Sequence, residues 1–136
     1  PMPRDTVVAR YAIALVARER QRQLAVEGWS EAHDDALTGG ELGLAAACYA
    51  AAPHELRTGP PAAARDAWPF APAQDKRAKH GTVRRLAIAG ALVLAELERE
   101  LRRGGLAEAA AEDPELVNEL YAVARAVSRH GRPDGA

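Results

Sequence analysis

The chain has little of what small proteins use to build covalent or thiolate-metal scaffolds. Its 136 residues include a single cysteine, Cys48, and only 4% of them are aromatic. One cysteine excludes an intramolecular disulfide and a zinc site built on several thiolates. Because Cys48 lies in the apolar run AAACYA at 45–50, a buried and inert thiol is favoured over a nucleophile.

The chain also lacks an excess of one charge and a long apolar run. It has 18 basic and 19 acidic residues and a net charge of -1, so no overall field attracts nucleic acid or an anionic membrane. No apolar run approaches the ~20 residues of a membrane span, and the first residues lack the features of a signal peptide. We therefore expect a cytoplasmic protein with no membrane partner and no nucleic-acid partner.

The pattern of apolar residues predicts the fold class. Apolar positions recur at steps of three and four, and no alternating strand pattern occurs, which is typical of helices. We predict an all-α, single-domain bundle of about four helices over residues 4–130. Residues 131–136 are predicted to form a frayed tail.

Local signals place the first two helices. The first is predicted from about residue 6 to Glu27, with Val8, Tyr11 and Leu15 on its apolar stripe. The second is predicted to open with a capping box, in which Thr38 is the cap and Glu41 follows three residues later. It should stop before Pro53 and turn four residues inward: Leu42, Ala45, Ala46 and Tyr49.

The other two helices follow a long connection rich in proline, which extends from Pro53 to about Gln74. Trp68 and Phe70 are expected to anchor this connection onto the core, as two neighbouring aromatic residues commonly do. The third helix begins between Asp75 and Thr82 and runs to Arg103, and the fourth is capped by Asp113 and reaches about His130. The predicted inward stripes are Leu86, Gly90, Val93, Leu97 and Leu101 in the third helix, and Leu116, Leu120, Val123 and Val127 in the fourth.

Chemistry is concentrated in residues 27–35, EGWSEAHDD. Carboxylates, the His33 imidazole and the Trp29 indole lie within nine residues at the end of a helix, where they can bind a metal or a polar ligand. A structural role competes with this one. Asp34 or Asp35 would then cap a turn, His33 would bond a backbone carbonyl, and Trp29 would plug the end of the bundle.

Two further segments carry candidate residues. Glu19 falls on the apolar stripe one turn beyond Leu15, and a carboxylate at a core position is a local inconsistency typical of functional sites. The alternative is that residues 18–23 form a solvated, charged face. Residues 76–85 carry five cations and no acid, which at a helix start favours a bound phosphate near Lys76, Arg84 and Arg85, or else cations in solvent.

An ordered set of short strings resembles a recurrent family of small phage and prophage proteins. The resemblance covers roughly residues 10–103 and implies a viral or mobile-element setting, in a family whose members are mainly uncharacterised. The strings are ERQRQ at 19–23, EGWS at 27–30, HDD at 33–35, GEL at 40–42, AACYA at 46–50, WPF at 68–70, RRL at 84–86 and AGALVLAELER at 89–99.

The chain also resembles, more weakly, the all-α nucleoside triphosphate pyrophosphohydrolases of the MazG type. In that family acidic residues on adjacent helices hold magnesium against a triphosphate, and the protein is an oligomer. Glu41 has Leu44 and Ala45 where the family has an acidic partner, and Glu96 with Glu100 would form the later acidic pair. The candidate catalytic residues of this chain are Glu19 and Asp34. The implied magnesium ligands are Glu19, Glu27, Asp34, Asp35 and Glu41.

Three functions follow as expectations. The first is a Mg²⁺-dependent nucleotide hydrolase, because magnesium prefers oxygen ligands and bridges carboxylates to phosphates. The second is a non-catalytic protein that sequesters a nucleotide or nucleotide signal, with Trp29 or Trp68 stacked on a base. The third is a small oligomeric adaptor that binds a host protein. Zinc held by His33 and the aspartates has a poor signature, and a homo-oligomer is expected because the third helix is apolar on more than one side.

Overall fold

The computed structural model describes residues 3–58 and 68–130, and every regular element in these ranges is helical. The prediction of an all-α protein is therefore confirmed. The described ranges contain six α-helices, of which four correspond to the predicted ones and two, α2 and α5, are short additions. They are α1 (Arg4–Ala25), α2 (Glu31–Asp35), α3 (Glu41–Thr58), α4 (Thr82–Glu100), α5 (Leu106–Glu112) and α6 (Pro114–His130).

The chain divides into two compact units, Pro1–Arg99 and Glu100–Ala136. The first unit holds α1, α2, α3 and α4 up to Arg99, and the second holds α5 and α6. The prediction of one domain over residues 4–130 stays a prediction, and the predicted tail at 131–136 lies outside the described residues. Among the described helices, none has both the length and the apolar character needed to cross a bilayer.

The core of the first unit is built mainly from small and aliphatic residues of α3 and α4. The predicted inward residues of α3 are all buried, and Cys48 is buried beside them as expected. Trp68 and Phe70 pack against this core together with Trp29 and Leu37, as predicted for these two aromatic residues. The buried core cluster is Leu42, Ala45, Ala46, Tyr49, Ile88, Ala89, Leu92 and Ala95.

The predicted apolar stripe of α1 is wrong in its first half, because Val8 and Tyr11 are 60% and 67% exposed, whereas Leu15 is partly buried. The buried residues of α1 are instead polar: Glu19, Arg20 and Gln23. The expectation of a carboxylate at a core position is thus confirmed for Glu19, and the alternative of a fully solvated charged face is not. The first unit consequently has a polar layer beside its apolar core.

The predicted inward faces of the last two long helices are also wrong. In α4, Leu86, Val93 and Leu97 are about half exposed, whereas Ala91 and Leu92 on another face are buried. A helix that is apolar nearly all round offers several faces to the core, and here the alanine-rich face is used. In α6, the four residues predicted to face inward are all exposed: Leu116, Leu120, Val123 and Val127.

Some helix ends differ from the predictions for backbone reasons. Gly40 has φ +82°, which is not helical, so α3 begins at Glu41 and Thr38 lies in a turn before it instead of capping it. The helix then continues past Pro53 to Thr58, although proline has no N–H for the helical ladder. The central part of the predicted proline-rich connection, residues 59–67, lies outside the described residues.

Other ends match the sequence signals. Asp113 Oδ1 accepts a hydrogen bond from the Leu116 backbone N–H at 3.0 Å, so the predicted cap of α6 is confirmed. At the end of α4, a wide turn over Leu101–Gly105 contains Gly104 with φ +136°, close to the predicted glycine stop.

Candidate functional site

A cavity of about 470 Å³ opens in the first unit among α1, the start of α2, α3, the segment 68–80 and α4. This volume is within the usual range for small-molecule sites. Aromatic and charged side chains both contribute to its wall. The aromatic and histidine residues are Trp29, Tyr49, Trp68, Phe70, His33 and His80, the cations are Arg22, Lys76, Lys79 and Arg84, and the carboxylates are Glu19 and Glu27.

One aromatic group of the wall is Trp29 with His33. Their rings are stacked, with centroids 5.5 Å apart and planes inclined by 18°. Ser30 fixes this pair, because its hydroxyl accepts a hydrogen bond from the His33 backbone N–H at 3.1 Å and caps α2. The Trp29 backbone N–H donates to the Gln23 backbone carbonyl at 3.1 Å, so the corner between α1 and α2 has a defined geometry.

The other aromatic group of the wall contains Tyr49, Trp68 and Phe70. The Trp68 ring meets both neighbours edge to face, with centroid separations of 5.8 Å each. The Arg77 guanidinium lies 5.4 Å from the Trp68 ring centroid, and its Nη2 pairs with Asp75 at 2.7 Å. The contact of Trp68 with Tyr49 holds the segment 68–80 against the core, and the contacts of Arg77 stabilise the segment internally.

Glu19 organises two of the four cations. It is 1% exposed, and its oxygens pair with Arg22 Nη2 at 2.9 Å and Arg84 Nη1 at 2.5 Å. Burial alone would raise the pKa of Glu19, but the hydrogen bonds and charges of Arg22 and Arg84 outweigh it and lower the pKa. Arg22 also pairs with Glu27 at 2.7 Å, so three charged side chains from α1 and its end are linked to α4.

The segment before α4 supplies the other cations. Burial raises the pKa of Tyr49, and a backbone hydrogen bond from Lys76 opposes that rise, which places this segment next to α3. Lys76 and Lys79 are exposed, and within the described residues neither ammonium group forms an ion pair. Burial and then the charge of Arg84 lower the pKa of His80, which disfavours a further positive charge there.

Arg85 was predicted to bind phosphate, but in the structure its guanidinium contacts other groups of the protein. Its guanidinium is buried and donates to the His80 carbonyl and to Thr82 Oγ1. It is not part of the cavity wall. Arg85 therefore holds the turn that leads from His80 into α4.

Asp34, a predicted catalytic and metal residue, is fully buried in the polar layer. Arg20 Nη2 donates to its Oδ2 at 2.9 Å, and His33 Nδ1 lies 2.9 Å from its Oδ1. Arg20 also donates to Gln23 and, at 2.6 Å, to Glu98. Asp34 thus joins α1 to α2, and the same arginine joins both to α4.

The structure brings most of the predicted site residues to one cavity and leaves four outside its wall. Those in the wall are Glu19, Glu27, Trp29, His33, Trp68, Lys76 and Arg84, and those outside it are Asp34, Asp35, Glu41 and Arg85. Within the described part of the chain, no group of three histidine, cysteine or acidic residues is arranged to hold a metal ion.

Among the aromatic, histidine and charged residues of the cavity wall, sequence reasoning missed five: Arg22, Tyr49, Phe70, Lys79 and His80. Lys79 and His80 belong to the basic stretch that was singled out, and Arg22 lies one turn after Glu19, so these carried a signal. Tyr49 and Phe70 carried none beyond packing, because an aromatic residue in the core and one at a cavity wall have the same local pattern.

Rings and cations on one cavity wall suit a ligand that has both a planar ring and an anionic group. The ring can stack on an indole, and the anion can pair with ammonium and guanidinium groups. No protein-family model, curated protein or solved structure gives a significant match to this chain.

Proposed function

We propose that this protein binds a nucleotide or nucleotide signal in the cavity and holds it without turnover. The observation that carries the proposal is the meeting of two tryptophans and four cations on one cavity wall. A nucleotide has a planar base and phosphate groups, so it uses both kinds of side chain.

The phosphates would pair with Lys76, Lys79, Arg84 and Arg22. Lys76 and Lys79 are exposed and can move toward a ligand, whereas Arg22 and Arg84 are already fixed by Glu19. A fixed guanidinium loses less side-chain entropy on binding. The two lysines would therefore capture the anion, and the two arginines would position it.

Magnesium-dependent hydrolysis is the second candidate, and the presence of Glu19 and Glu27 in the cavity wall supports it. The fit to a resident magnesium ion is nevertheless poor. Both Glu19 oxygens accept hydrogen bonds from guanidinium groups, and the described residues contain no suitable ligand group of three.

Thermal unfolding with AMP, ATP and GTP, each with EDTA and with added Mg²⁺, tests the proposal, because a ligand that binds only the folded state raises the midpoint. We expect a rise in EDTA with no release of phosphate or pyrophosphate. A rise that requires Mg²⁺ and is followed by pyrophosphate release would instead establish the hydrolase. No rise with AMP, ATP or GTP would refute the hydrolase and the binding of a ligand with one base.

Paired variants make the same experiment specific to the cavity. The double variant Lys76→Gln with Lys79→Gln should lose most of the midpoint rise, because it removes the two exposed cations of the wall. Arg10→Gln is the matched control, since Arg10 is an exposed cation of α1 outside the cavity wall. An equal loss in both variants would show a nonspecific charge effect.

Self-association forms part of the proposal, as does a cytoplasmic location. Large apolar side chains are exposed in both units, among them Tyr11 and Leu86 in the first and Leu120 and Val123 in the second. Such side chains favour a homo-oligomer, or a host-protein partner if the adaptor function holds. Sedimentation of the purified protein should show a species larger than a monomer, and a pure monomer would contradict this part.

A further inference from the structure

The cavity wall has two separate aromatic groups, although a ligand with one base needs only one of them for stacking. Building on the proposed function, we infer that the ligand is a dinucleotide, with two bases joined through phosphate groups. The two tryptophans would each stack on one base. The cations of the same wall would pair with the phosphates that join the bases.

The two aromatic groups belong to different parts of the chain and are supported independently. Trp29 stacks with His33 at the corner between α1 and α2, whereas Trp68 meets Tyr49 and Phe70 edge to face. Within the described residues, no ring contact connects one group with the other. Each tryptophan is half-buried and lines the cavity, so each is accessible from it.

The charge of the cavity wall agrees with this class of ligand. Four cations and two carboxylates, Glu19 and Glu27, leave two positive charges in excess. Each phosphodiester group carries one negative charge, so two such groups balance the wall. A nucleoside triphosphate brings more negative charge and only one base, and would leave one aromatic group without a partner.

Isothermal titration of the full chain in EDTA tests the inference with defined probes. Cyclic di-AMP and cyclic di-GMP represent cyclic dinucleotides, pApA represents linear ones, and AMP, GMP and ATP represent ligands with one base. We expect at least one dinucleotide to bind about 10-fold or more tightly than any ligand with one base, because stacking on a second ring adds affinity. The cyclic and linear probes then separate the two sources of the same chemistry.

Substitutions of the two tryptophans test whether both bases are held. Trp29→Ala and Trp68→Ala should each weaken dinucleotide binding by about 10-fold, because each removes one stacking partner. Trp29→Phe and Trp68→Phe keep a ring and should restore most of the affinity. Because Trp68 also packs on the core, circular dichroism must first show that its variants are folded.

The possible outcomes separate the inference from the proposed function. If AMP, GMP or ATP binds as tightly as every dinucleotide, the inference is refuted while nucleotide binding stands. The same follows if only one tryptophan affects dinucleotide binding. If no probe binds, the proposed function fails and the inference fails with it. The ratio of affinities in the unsubstituted protein decides the first comparison without any variant.

Discussion

Replacing Asp34 by alanine should destabilise the first unit strongly, because it leaves the Arg20 guanidinium buried with part of its charge unpaired. The side chains of Asp34 and Arg20 are 0% and 8% exposed, and their atoms Oδ2 and Nη2 are 2.9 Å apart. Glu98 also pairs with Arg20, but its side chain is 40% exposed, so solvent weakens its contribution. It cannot replace the lost carboxylate.

The magnitude follows from measured losses when one member of a buried ion pair is removed, which are about 3–5 kcal/mol. The remaining Glu98 contact places our expectation for Asp34→Ala near the lower end, at roughly 3 kcal/mol. Asp34→Asn keeps an acceptor oxygen for Arg20 and loses only the charge, so it should cost less, about 1–2 kcal/mol. Neither value depends on a ligand.

Urea unfolding followed by far-ultraviolet circular dichroism measures both variants. Glu31→Gln is the control, because Glu31 lies in the same short helix α2 and is exposed. It should change the free energy of unfolding by less than about 0.5 kcal/mol. If Asp34→Ala also changed the free energy of unfolding by less than about 0.5 kcal/mol, the assignment of Asp34 to a buried structural pair would be refuted. Asp34 would then again be a candidate site residue.

Two more predictions concern packing and pH. Gly90→Ala should lower the free energy of unfolding by about 1 kcal/mol, because the new Cβ would lie 2.7 Å from Val16 Cγ2. Adding Val16→Ala should recover part of this loss, as measured by urea unfolding. Gly43→Ala is the control, since the new Cβ would meet no neighbouring side chain within 4 Å. It should stabilise α3 by up to about 1 kcal/mol. Equal effects at both glycines would contradict the close approach of α1 to Gly90. The pKa of Glu19 is lowered from its ordinary value of 4.5, so its stabilising contribution is complete above that pH and is lost as the pH falls through the pKa of the folded state. The free energy of unfolding of Glu19→Gln should therefore differ most from that of the unsubstituted protein near neutral pH. A difference that did not become smaller in acid would contradict the pairing of Glu19 with Arg22 and Arg84.

The role of Glu19 shows how far sequence reasoning reached at the site. The periodicity of α1 placed this carboxylate at a core position, and the structure buries it. The periodicity did not show that Arg84, 65 residues along the chain from it, would neutralise it. In the sequence, Glu19 suggested a metal ligand. In the fold, it pairs with the guanidinium groups of Arg22 and Arg84.

The residues that line the cavity were partly predictable from the sequence. Residues 27–35 and 76–85 were singled out because unusual chemistry is concentrated in each, and side chains from both line one cavity. Their meeting depends on how α1, α3 and α4 pack. Asp34 and Arg85 have the same residue types as functional groups but are directed into structural contacts with Arg20 and His80.

The sequence by itself determined the features that depend on neighbours a few residues away. These include the helical class, the Asp113 cap of α6 and the inward face of α3 from Leu42 to Tyr49. The tertiary structure decided which face of α4 is buried, because a helix that is apolar on several sides has no single preferred face until its partners are in place. It also decided the pairing of Arg20 with Glu98, which are 78 residues apart. Local periodicity carries no information on contacts of that separation, since they form only when packed helices bring the two side chains together.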